Sequence, residues 1–170
     1  LRRTAQELGS ARFRSLLLEA TAWVETGPWL ADDTAAAWRL RHRPVKAFAR
    51  EVLGKRWNKL KKMGRRLETL DDAHRHRVRI EAKKLRYAAE AFAPLFPGKA
   101  APKLIAKVKA VQDELGKLND VVTAQGAIGA LPLEPALAFA AGRLTGKRAA
   151  DKDGQIAIAA KAMKRLRKAE

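Results

Sequence analysis

His76, Arg79, Lys83, Arg86 and Glu90 follow one another at intervals of three or four within HRHRVRIEAKKLRYAAE, residues 74–90. At about 100° per residue around an α-helix, that spacing gathers all five into a strip roughly 80° wide. Val78, Ala82, Leu85, Ala89 and Phe92 border the strip on one side, with Ile80 and Tyr87 on the other. Arg77, Glu81 and Lys84 fall on the face that reads as solvated. The strip is therefore expected to line a groove, not a free surface. Three cations in line repel one another in a half-buried site unless an anion compensates, and Glu90 supplies one negative charge. Long side chains snorkelling from a core edge to water are the plain alternative. The chemistry that such a row suits is recognition of a polyanion. Arginine offers a planar fork to two phosphate oxygens, and lysine a mobile point charge. His76 adds a pH term, because its protonation under mildly acidic conditions strengthens anion binding.

The elements on either side must position this strip. The preceding helix, PVKAFAREVLGKRWNKLKKMGRRL, places Val45, Phe48, Val52, Leu53, Leu60, Met63 and Leu67 on one face, with Trp57 at its margin. Arg56 falls inside that stripe, with Lys59 and Arg66 at its other edge. A buried arginine paired to a carboxylate of another helix is the structural reading of Arg56. Beside the first strip, Arg56 and Lys59 read as second-rank cations turned toward the same bundle. In the following helix Leu104, Val108, Val111, Leu115, Leu118 and Val122 make a core stripe. Gln112 and Asn119 lie on one flank, and Lys103 and Lys107 on the other, where they would extend a cationic wall. Gln112, Asn119 and Asp120 read as a network that fixes register and satisfies loop backbone groups, and Gly116 allows close helix contact.

The whole pattern is all-α. Helices are expected over 11–25, 32–43, 44–67, from Asp71 or Asp72 to before Pro97, from Pro102 past Val122, from Pro135 to Ala149, and over 154–168. These describe an antiparallel up-and-down bundle of about four long helices plus shorter ones, in a single helical domain over residues 1–170. Thirty-six Lys and Arg against eighteen Asp and Glu give a formal charge of +18, which attracts polyanions. The absence of cysteine excludes disulfides, zinc ribbons and thiol catalysis. No apolar run is long enough to span a membrane, so no membrane partner is expected. No cofactor is implied, and the cytoplasm is the default compartment.

HRHRVRIEAKKLRYAAEAF followed by VQDELGKLNDV resembles the second repeat of a CHAD domain, the conserved histidine α-helical domain. The pattern H-x-x-R-[VI]-x-x-K-[KR]-L-R-Y-x-x-E-x-F is carried by His76, Arg79, Ile80, Lys83, Lys84, Leu85, Arg86, Tyr87, Glu90 and Phe92, with the branched aliphatic displaced by one place. The pattern Q-D-x-L-G-x-L-N-D is carried by Gln112, Asp113, Leu115, Gly116, Leu118, Asn119 and Asp120. The resemblance implies two related helical bundles facing each other across a basic cavity that binds inorganic polyphosphate, with a place at polyphosphate granules. Carried onto this chain, the ligand contacts are His76, Arg79, Lys83 and Arg86. The family's earlier repeat is not found in these residues. The chain is therefore expected to be a fragment that lacks an N-terminal half, or a protein whose cavity is completed by self-association.

The expected function is non-catalytic binding of inorganic polyphosphate or another polyanion. A helical protein binding nucleic acid without sequence preference is the alternative, since net charge fits it equally and some weak DNA binding is expected in either case. A phosphatase-type enzyme ranks lower. His74 and His76 are two apart and diverge on a helix, His42 is isolated, and the strip has a single acid beside it, so catalysis is not expected.

Overall fold

The computed structural model describes residues 2–168, the side chains of 148 and 149 excepted, and contains no strand among them. The chain divides into two compact units, Leu1–Val45 and Lys46–Glu170.

The first unit carries α1 (Arg2–Leu8), α2 (Ala11–Thr26) and α3 (Ala35–Arg41). Ser10 starts α2 by accepting the Phe13 N–H on its hydroxyl, as a serine at an N-cap should. Thr34 does the same for α3 through Ala37. Arg41 ties α3 to the preceding loop, donating to the carbonyls of Trp29 at 2.8 Å and Asp32 at 2.6 Å. No residue of these three helices is buried. Helix α2 carries Leu16, Leu17, Trp23 and Val24 at helical spacing, yet all four stand exposed. This unit has helices without a core of its own.

The second unit is built differently. It contains α4 (Val45–Met63, entered from the boundary residue), α5 (Asp72–Phe92), α6 (Ala100–Gly129), α7 (Pro135–Ala150) and α8 (Lys152–Arg167). Leu60, Leu67, Val78, Ala82, Leu85, Val108, Val111, Leu115, Leu118, Ile156, Ala159, Met163 and Leu166 form one continuous core. Complete burial of each large member contributes roughly 1.5–3 kcal/mol. Helix α8 thus completes the packing against α6, while α7 leaves Leu137, Phe139 and Leu144 exposed.

Helix α4 stops at Met63, short of the expected Leu67. The reason lies in Gly64, where the chain passes so close to α8 that a Cβ would lie 2.7 Å from Cε of Met163. The chain turns there, and Leu67 enters the core from a short 3-10 turn, Leu67–Thr69, instead of from a helical stripe.

Asp71 starts α5, its carboxylate accepting the His74 backbone N–H at 2.7 Å. That bond, and then the His74 ring, hold the Asp71 carboxyl below its ordinary range. Asp72, one residue on, fastens α5 to α8 by accepting from Nζ of Lys152 at 2.7 Å and from Nη2 of Arg75 at 3.2 Å. Contacts between α5 and α6 dominate the unit, and the two helices run antiparallel.

Candidate anion-binding site

The basic strip of α5 lies along α6, and three pairings fix its register. Nδ1 of His76 sits 2.5 Å from Oδ1 of Asn119, an arrangement that needs the ring proton on Nδ1. Three residues on, Arg79 lies against Gly116, where an added Cβ would stand 3.6 Å from its Nε. Further up, Nε of Arg86 donates to Oε1 of Gln112 at 2.9 Å. As numbers rise on α5 they fall on α6, so His76, Arg79 and Arg86 meet Asn119, Gly116 and Gln112 in turn. Asn119 is held by its own bond to Thr123. Gln112 and Asn119, two of the three residues read as a register-fixing network, make these contacts; the third, Asp120, does not.

The partners on α6 are amides and a glycine, not acids. Among the described residues neither Arg79 nor Lys83 has a carboxylate partner, and Nε of Arg79 is buried without a hydrogen bond. Arg86 also donates to Glu90 at 3.1 Å. Lys83 and Arg86 both lie over the ring of Tyr87, at 5.6 and 4.6 Å from its centre. Cation–π contact of this kind is worth about 0.5–1 kcal/mol at an exposed site. Three permanent cations therefore share one carboxylate.

Burial along the strip follows angle around the helix. Arg75, Arg79 and Arg86 sit nearest the apolar face and are buried or half-buried, while His76, Lys83 and Glu90 lie further round and are exposed. The strip is an open face and not the expected enclosed groove. A cavity of about 510 Å³ at its N-terminal end takes in Arg75, His76, Arg77, Asn119, Leu115 and Leu118, but not Arg79, Lys83 or Arg86.

Glu81 corrects the sequence reading. Expected on the solvated face, it is 3% exposed. Its carboxylate accepts from Nζ of Lys59 at 2.9 Å and from Nη1 of Arg56 at 3.4 Å. Arg56 and Lys59 therefore share one carboxylate, and the pairing read for Arg56 is present, although its side chain is 38% exposed and not buried. The signal was present in the sequence: Glu81 follows Val78 by three and precedes Leu85 by four, which puts it beside core positions. Arg75 was missed in the same way, at the opposite edge of that face.

Lys103 and Lys107 are exposed on the flank of α6 turned away from Gln112 and Asn119, so α6 does not carry them to the strip. Asp120 lies elsewhere again, on a cavity of about 650 Å³ with Lys117, Lys147 and Asp151. Among the described residues no three His, Asp or Glu side chains gather as metal ligands would, and no helix is long and apolar enough to cross a membrane.

A CHAD-domain family model matches residues 1–129, ending where α6 ends. No curated protein and no solved structure matches the chain. CHAD domains are associated with polyphosphate binding. With most of its length matched, including the whole α5–α6 ladder, the chain belongs to the CHAD-domain family.

Proposed function

We propose that the α5–α6 face binds inorganic polyphosphate without catalysis, through Arg79, Lys83, Arg86 and His76. One observation carries this reading: among the described residues, half-buried Arg79 beside Gly116 and exposed Lys83 have no carboxylate partner. Cations in a partly buried row repel one another unless an anion compensates. Helix α6 orients the cations through neutral groups, which leaves their charge for a ligand. A row of cations along a helix can follow a chain of phosphates with no sequence to read, and His76 Nε2 becomes a further donor when the ring is protonated. The strip has no second acid to pair with Glu90 for general acid–base chemistry, which supports a binding role. Arg56 and Lys59 stand with Glu81 on the other flank of α5 and are not part of this face. Self-association, or a segment beyond these residues, would close the open face, and a place at polyphosphate granules follows from the same ligand.

The test is titration of polyphosphate against the wild type and an Arg79→Ala/Arg86→Ala variant. Each lost charge-assisted contact is expected to cost about tenfold or more in affinity. The salt dependence should become shallower as fewer phosphates are neutralised. Equal affinities would reject the site. Competition by duplex DNA at fixed salt decides the alternative: DNA that displaces polyphosphate mole for mole would make the face a general polyanion surface.

A further inference from the structure

We propose that Glu90 is the built-in counter-anion of the empty site, displaced from Arg86 when a polyanion binds. This rests on the polyphosphate reading and adds its regulation. Arg86 is held from three sides, by Gln112 at 2.9 Å, by Glu90 at 3.1 Å and by the Tyr87 ring. These partners are not equivalent. Gln112 is half-buried and neutral, so losing Arg86 would leave its amide oxygen poorly satisfied. The Glu90 side chain is 41% exposed and can turn to water with its charge hydrated, whereas that of Arg86 is 18% exposed. An incoming phosphate therefore takes the place of Glu90 while Nε stays on Gln112.

Glu81 shows what a fixed partner looks like. Its side chain is 4% exposed and holds Arg56 and Lys59 at once, so releasing them would strand its charge out of water. Glu90 holds one cation and stands at the surface. The exchange selects for chains. A lone phosphate at Arg86 swaps one ion pair for another and gains little. A chain that also reaches Lys83 and Arg79, which have no acid of their own among the described residues, gains contacts that displace nothing. Glu90 thus sets a threshold that a single phosphate does not clear and a polyphosphate does.

The experiment is a double-mutant cycle on polyphosphate affinity, with wild type, Glu90→Gln, Arg86→Ala and the double variant, each checked for an unchanged melting profile. Glu90→Gln is expected to tighten binding about two- to fivefold. Its log–log salt slope should steepen by about one charge, because Arg86 now releases a solution counter-ion. In the Arg86→Ala background the same substitution should change affinity much less. Weaker binding by Glu90→Gln, or an equal gain in both backgrounds, would overturn the inference while leaving polyphosphate binding intact. Absence of polyphosphate binding in all four proteins would instead overturn the reading on which it rests.

Discussion

Helix α4 and helix α5 present the same residue types to the same bundle, with opposite results. On α4, Arg56 and Lys59 converge on the buried carboxylate of Glu81, which holds them both in place. On α5, Arg79 is received by Gly116 and Lys83 by the Tyr87 ring, with no carboxylate for either among the described residues, and Arg86 is shared between the Gln112 amide and the exposed carboxylate of Glu90. A carboxylate neutralises the cation it orients; an amide, a glycine or an aromatic face orients without neutralising. The difference between a structural ion-pair cluster and a binding surface is thus made by the partner, on the same helix or the next. Counting cations along a helix does not reveal it.

Two changes separate the clusters further, in order of size. Glu81→Gln should cost about 1.5–3 kcal/mol of stability, read by urea denaturation, because a nearly buried acceptor of two charged donors loses its charge. The same variant should leave polyphosphate affinity at the α5–α6 face unchanged, since Arg56 and Lys59 stand on the other flank of α5. Asp72→Asn is smaller, up to about 1 kcal/mol, as befits a partly exposed pair. The Lys152 ammonium, then the Arg75 guanidinium, outweighs partial burial and holds the Asp72 carboxyl below its ordinary range. A depressed carboxyl stabilises the fold above its unfolded value and loses that contribution as pH falls through its folded value. The difference between wild type and Asp72→Asn should therefore hold from neutral pH to roughly pH 4 and disappear in stronger acid. Neither polyphosphate affinity nor its salt slope should change in Asp72→Asn.

The parts that were legible in the sequence were those a single helix encodes. Spacing of three and four placed His76, Arg79, Lys83 and Arg86 on one strip, and of the two starts read for α5, Asp71 or Asp72, the structure uses Asp71. Relations between helices were not legible. Whether Arg86 meets an amide or an acid depends on how α5 is slid along α6, and no periodicity within either helix states that register. Glu81 was misplaced because it sits one step from the core stripe, where about 40° around the helix separates buried Leu85 on one side from exposed Arg77 on the other. The end of α4 was overrun for a similar reason, since its stop is set by the approach of Met163 from a helix about a hundred residues later. The apolar stripe of α2 was readable, but what covers Leu16, Leu17 and Trp23 is not written in the stripe itself.

The central claim is that neutral partners on α6 leave the α5 cations charged for a ligand. Gln112→Glu addresses it most directly, by placing an acid where Nε of Arg86 now finds an amide and so giving α5 the chemistry of the Glu81 cluster. Polyphosphate affinity, titrated across a salt series, is predicted to fall about tenfold with a shallower slope, while the melting profile is kept. Affinity and slope equal to those of the wild type would contradict the account.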